Sequence, residues 1–151
     1  MKKFSELINK LLLTSSRNRK IDILSNYFQN TSDPDRGYTL AILTNELELR
    51  NIPISRIKEI VFENVDNELF TLSYDYVGDL AETISLIWPH KELGSLLGIS
   101  EIIDVLRNLK KDDVNKTIKN YLSIANETER WALIKLILSL IHISEPTRQR
   151  V

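Results

Sequence analysis

The chain contains no cysteine and only two histidines, four glycines and four prolines among its 151 residues. The missing cysteines exclude a disulfide framework, thiolate catalysis and most structural zinc sites, and two histidines leave little for another metal centre. No run of about eighteen uncharged apolar residues occurs, so no membrane-spanning helix is predicted. The residues after Met1 do not form the apolar core of a signal peptide, and we therefore expect a cytoplasmic protein.

What is present is the composition of an ordered globular domain, with 42% hydrophobic and 27% charged residues. The length suits one domain that buries most of its apolar surface. A net charge of −1 gives no overall attraction to nucleic acid. The charge is uneven, however, because residues 1–20 hold six Lys or Arg against one Glu. This basic segment could meet a phosphate backbone.

Hydrophobic spacing of three and four residues recurs along the whole chain, which is typical of amphipathic helices. No alternating strand pattern with a glycine-containing hairpin occurs, so the fold class is predicted to be all-α. The predicted helices cover approximately residues 4–13, 17–28, 35–49, 55–62, 67–76, 79–88, 100–109, 114–125 and 126–137.

Capping residues set several of these boundaries. Ser55, Asn67 and Ser100 are each predicted to cap the helix that starts beside them. Asp79 and Glu82 form the aspartate version of a capping box, in which Asp79 accepts from first-turn amides and Glu82 reaches back. The glycines at 94 and 98 are expected to bracket a loop.

Recognised catalytic motifs are missing: the chain has no GxxxxGK[ST], GxGxxG, HExxH or GxSxG pattern. His90 follows Pro89 in a predicted loop, where a solvated side chain is the favoured interpretation. Residues 110–113, Lys-Lys-Asp-Asp, approach the K-x-D-G signature of nucleotidyl transfer, but Asp113 replaces the glycine. We interpret this segment as a charged connection between helices. No catalytic, cofactor-binding or metal-ligating residue is therefore assigned.

The most unusual stretch is residues 73–83, Ser-Tyr-Asp-Tyr-Val-Gly-Asp-Leu-Ala-Glu-Thr. Gly78 permits a left-handed or close-approach backbone, and Asp79 starts a helix whose free amides could face an anion. Helix starts of this kind are common. Spacing alone therefore favours an ordinary helix-loop-helix corner.

Four segments together form a recognisable pattern: Phe4-x-x-Leu7 leading to Thr14-Ser15 and Lys20, Tyr27-Phe28 before Asp33-Pro34-Asp35, Tyr74-x-x-Val77-Gly78-Asp79-Leu80-Ala81-Glu82-Thr83-Ile84, and Glu129-Arg130-Trp131 followed by Ile134-Lys135-Leu136. In this order they resemble the all-helical N-terminal DNA-binding domain of bacterial ATP-dependent DNA ligases. The resemblance covers residues 1–137. It departs after Thr44, where Asn45-Glu46 replaces the Gly and basic residues usual in the family, which puts a phosphate contact at this turn in doubt.

The resemblance implies a monomeric domain that grips nicked double-stranded DNA through the backbone and minor groove. Arg17, Arg19 and Lys20 are then the candidate phosphate contacts, joined by the corner at Gly78 and Asp79 through backbone amides. A solvated basic face is an equally weighted alternative for the arginines. Asp79 is expected to order the corner rather than touch DNA, because a carboxylate is repelled by phosphate.

For the full-length ligase the resemblance implies ATP and Mg²⁺ as cofactors and a catalytic lysine that carries AMP. None of the catalytic residues falls in this sequence. The main alternative is a helical protein-interaction module unrelated to ligation, which amphipathic helices alone do not exclude. A small enzyme of unknown chemistry is poorly supported, because no acid, base or metal constellation converges.

Residues 138–148, Leu-Ser-Leu-Ile-His-Ile-Ser-Glu-Pro-Thr-Arg, resemble the translated product of a transposase adaptor used in preparing DNA sequencing libraries. The string is too long for a chance match, and the alternative is an ordinary amphipathic helix end. We therefore predict a helical DNA-binding domain at residues 1–137, incomplete at its C terminus, and a non-native tail at residues 138–151.

Overall fold

The computed structural model describes residues 1–49, 52–89 and 96–141. These residues form α-helices and one short 3₁₀ helix, Lys111–Asp113, and contain no β-strand, so the all-α prediction is confirmed. No helix among them is long and apolar enough to cross a membrane. The α-helices, numbered α1 to α9, are Lys2–Leu13, Arg17–Gln29, Asp35–Leu43, Ile54–Asn64, Asn67–Val77, Leu80–Ile87, Ile99–Arg107, Val114–Ile124 and Glu127–Ile137.

The core is organised around α9, which is buried on nearly all sides and contacts both α1 and α6. A helix that is buried all round forms the centre of a helical fold. Around it α5 packs on α6, α3 on α7 and α4 on α8. The apolar face of α1 serves two clusters, since Phe4 and Ile8 join the main core while Leu7 and Leu11 pack against Tyr27 of α2. The first two helices therefore pack against each other as a helical hairpin.

The third helix is shorter than predicted, because α3 ends at Leu43 rather than near Leu49. Asn45 adopts a left-handed backbone with φ of 60°, and the N–H of Glu46 donates to the carbonyl of Ala41 at 2.8 Å. This bond closes the helix end in the manner of a Schellman motif. The chain beyond it is not helical, and Leu49 packs against the core.

Two predicted serine caps are wrong. Ser55 lies inside α4, which starts after Pro53, and Ser100 lies inside α7, which starts after Gly98. The backbone N–H of Ser100 donates instead to Oδ1 of Asp35 at 3.1 Å, so α7 is capped from the first turn of α3. A Cβ on Gly98 would lie 3.3 Å from Oδ2 of the same carboxylate. The glycine therefore leaves room for this long-range cap.

The caps of α5 and α9 are local. Asp66, not Asn67 as predicted, caps α5 by accepting from the N–H of Leu69 at 2.9 Å. Asn126 and Glu129 form a complete capping box that starts α9, and the predicted start of the last helix is confirmed. The α9 helix ends at Ile137. His90 and Gly94 lie outside the described residues, as does most of the predicted non-native tail, whose assignment stays a prediction.

Replacing Asn45 by Ala should lower the free energy of unfolding by about 1 kcal/mol, because alanine tolerates a left-handed backbone less well than asparagine. Asn45→Gly is the matched control and should not lower stability, since glycine adopts positive φ without steric cost. Urea denaturation of the three proteins measures the difference. Equal losses for both variants would show that the asparagine side chain, rather than the left-handed turn, closes α3.

Candidate nucleic-acid interface

The corner between α5 and α6 reverses the chain with only two residues. Gly78 has φ of 80° and its N–H donates to the carbonyl of Tyr74 at 2.8 Å. A Cβ at this position would meet no atom within 4 Å, so the backbone conformation, rather than crowding, favours glycine. Asp79 then caps α6, because its Oδ1 accepts from the N–H of Glu82 at 2.8 Å.

Asp79 also ties the corner to the central helix. Its Oδ2 lies 3.7 Å from Nζ of Lys135 on α9, and its carbonyl accepts from the hydroxyl of the buried Thr83 at 2.6 Å. The ammonium of Lys135 lies 5.5 Å from the ring centroid of Trp131. Asp79 therefore orders the corner, as the sequence indicated. The return bond from Glu82, the second half of the predicted capping box, does not form among the described contacts.

One of the backbone amides predicted to meet an anion at this corner is already hydrogen-bonded within the protein. The N–H of Gly78 is taken by Tyr74 inside the fold, so it is not offered to a ligand. Within the described hydrogen bonds, the first-turn amides of Leu80 and Ala81 have no acceptor, as is usual at a helix start. The amide of Asp79 likewise has no described acceptor, so an anion contact at the corner would use these three amides rather than that of Gly78.

The start of α2 carries an exposed group of positive side chains. Ser16 caps the helix by accepting from the N–H of Arg19 at 3.3 Å. Arg17 and Arg19 are exposed and Lys20 is half-buried, and no described hydrogen bond or ion pair engages these three side chains. The first turn contains no acidic residue. Cations at a helix N terminus oppose the helix dipole, so this arrangement does not serve helix stability and leaves a positive potential.

The residues predicted to contact DNA lie at the starts of two different helices. The α2 helix packs on α1, whereas the corner belongs to α6, which packs on α9. Among the described residues no hydrogen bond or ion pair joins the basic start of α2 to Gly78 or Asp79.

A second positive surface was missed by the sequence analysis. Lys110, Lys116 and Lys119 line an open groove of ≈ 960 Å³ beside α8, together with Asp113. The spacing of Lys116 and Lys119 places both on one helix face and could have indicated it. The segment that resembles K-x-D-G forms a 3₁₀ turn at this groove, which confirms its interpretation as a connection between helices.

The last resembling segment contains a buried cation. Arg130 is 3% exposed, its Nε donates to the carbonyl of Leu122 at 2.9 Å and a terminal nitrogen donates to the carbonyl of Ser85 at 2.7 Å. These bonds join α9 to α8 and α6. Burial lowers the pKa of Arg130, and the nearby charge of Glu127 partly opposes this shift. The role of this residue is structural.

The described geometry thus defines an all-helical domain with exposed basic side chains at a helix start. The sequence family described as DNA ligase N terminus matches residues 1–144. Because this match covers nearly the whole chain, the protein belongs to that family, and the all-helical ligase domain expected from the sequence is confirmed. The match extends past Ile137, the predicted end of the domain. Comparison with curated proteins gives no significant match.

Replacing Asp79 by Ala should lower the free energy of unfolding by about 1 kcal/mol, because the α6 cap is lost. Asp79→Asn keeps a capping oxygen and loses only a half-exposed ion pair, so its cost should stay below about 0.5 kcal/mol. Urea unfolding of both variants separates the two contributions. If the asparagine variant is as unstable as the alanine variant, the ion pair with Lys135, rather than the helix cap, provides most of the stabilisation by Asp79.

Replacing Arg130 by Met should lower the free energy of unfolding by about 2 kcal/mol or more, because two buried carbonyls lose their donor. Arg107→Met, at an exposed position in the last turn of α7, should change stability by less than about 0.5 kcal/mol. Thermal and urea unfolding provide the measurement. Similar small changes in both variants would contradict the structural role of the buried guanidinium.

Proposed function

We propose that the chain is the DNA-binding portion of an ATP-dependent DNA ligase and grips nicked duplex DNA so that 3′-hydroxyl/5′-phosphate nicks can be sealed. The observation that carries this proposal is the family match over residues 1–144. The exposed positive side chains at the start of α2, for which no ion pair is described, support it. A domain that must hold any nick needs sequence-independent affinity, which contacts to phosphates supply.

In this proposal Arg17, Arg19 and Lys20 contact phosphates of one backbone segment. The amides of Leu80 and Ala81 offer a second contact at the start of α6. The backbone amide of Asp79 is available in the same way, whereas the Gly78 amide is already bonded and the Asp79 carboxylate would be repelled by phosphate. The chain acts as a monomer that wraps one side of the duplex.

The chemistry of sealing is assigned to the rest of the ligase. ATP and Mg²⁺ would serve a lysine that takes AMP and passes it to the 5′-phosphate at the nick. No residue of this chain is given a catalytic role. This chain orients the duplex and attracts it through positive charge. Its role is therefore binding rather than catalysis.

A gel-shift titration with nicked duplex tests the proposal. The chain should bind with a steep salt dependence between about 50 and 200 mM, because phosphate contacts release counterions. The double variant Arg17→Ala/Arg19→Ala should bind more weakly and reduce the log–log salt slope by about two. The matched control Lys116→Ala/Lys119→Ala removes the same charge from the groove beside α8. It should keep its affinity within about twofold and its slope unchanged.

Two results would contradict the proposal. Absence of binding at low salt would favour the alternative, a helical protein-interaction module without a role in ligation. A larger loss in the Lys116→Ala/Lys119→Ala protein than in the arginine variant would move the phosphate contacts to the groove beside α8, and the assignment of α2 would be wrong.

A further inference from the structure

Large apolar side chains are exposed on α5 and α6. Leu72 is 61%, Tyr76 92% and Leu86 52% exposed. Together with the partly buried Val77 and Ile87 they line a crevice of ≈ 500 Å³ between the two helices. A soluble domain exposes single apolar residues routinely, but a contiguous concave group of this kind marks an interaction surface.

A neighbouring crevice of ≈ 360 Å³ extends this surface towards α1 and α9. Leu86 lines both crevices, so they are adjacent, and we call the two together the α5–α6 crevice. Leu13, which is 79% exposed at the end of α1, and the half-buried Trp131 line its second part. The two adjacent crevices are therefore bounded by residues of four helices.

The charge of the α5–α6 crevice is negative. Glu82 and Glu127 line it, and its described lining includes no lysine or arginine. Asp75 is exposed on α5 beside it, and the nearby Lys135 is paired with Asp79. Phosphate groups of nucleic acid or anionic lipid are repelled by such a rim. A symmetric pair of these chains would place one acidic rim against another, which is also unfavourable.

We propose that the α5–α6 crevice docks an amphipathic helix of a protein partner, with leucine-type side chains on one face and lysine or arginine at its edges. The apolar anchors fill the two parts of the crevice, as in helix-in-groove recognition. The basic side chains lie opposite Glu82 and Glu127, which gives charge complementarity. The proposal concerns a surface of opposite charge to the start of α2, and it does not rest on DNA binding.

The test uses a fluorescein-labelled synthetic peptide of about fifteen residues, built from Leu and Lys with leucines at helical spacing. Fluorescence anisotropy measures its binding to the whole chain. Leu72→Ser/Leu86→Ser should weaken binding by about tenfold or more, because both side chains are central anchors. The matched control Leu40→Ser changes a leucine that is 51% exposed on α3 and should bind as the unaltered chain does. Far-UV circular dichroism checks that each variant is folded.

A second peptide with Glu in place of every Lys should bind at least about tenfold more weakly, because it meets the acidic rim. Equal binding by the Leu72→Ser/Leu86→Ser variant, or equal binding of the two peptides, would overturn the proposal. So would dimerisation of the free chain that the double serine variant abolishes.

Discussion

The buried guanidinium of Arg130 is the contact on which the arrangement of the site depends. It binds the carbonyl of Ser85 within α6 and that of Leu122 near the end of α8, so α9 holds both neighbours at fixed positions. Lys135, also on α9, reaches the start of α6 through Asp79. One helix therefore holds α6 at two points, and one of them is the two-residue corner before α6. A buried cation must keep its hydrogen-bond partners, which makes the arrangement specific.

The residues that carry the family resemblance and those proposed to meet DNA have different tasks. Three residues of the resemblance have structural roles. Gly78 forms a left-handed turn, Asp79 caps a helix, and Arg130 is a buried cation that joins helices. Arg17 and Arg19 make no described side-chain contact, so the fold does not require them. The start of α2 is positive and the α5–α6 crevice is negative. The two surfaces are thus suited to different partners, a polyanion and a basic helix.

Hydrophobic periodicity alone predicted the order of the helices, because about a dozen neighbouring residues determine each amphipathic face. It missed two helix starts by one or two residues, at Asp66 and Pro53, and it failed further where the determining contact is remote. Asp35 caps α7 from another helix, and α3 stops early because the chain after Asn45 packs on the core. The capping role of Asp79 was predictable because its partner is three residues away. The loss of the Gly78 amide is also local, because its acceptor Tyr74 is four residues away. The exposure of Leu86 depends on tertiary packing, which spacing does not contain.

The central claim is that DNA binds at the starts of α2 and α6 and not at the acidic, apolar α5–α6 crevice. Hydrogen exchange of the whole chain, with and without nicked duplex, tests this claim most directly. Slower exchange on DNA binding is expected in the first turn of α2 and at Leu80 and Ala81, while residues 72–76 and Leu86 keep their rates. Protection confined to the α5–α6 crevice, with the start of α2 unchanged, would contradict this claim.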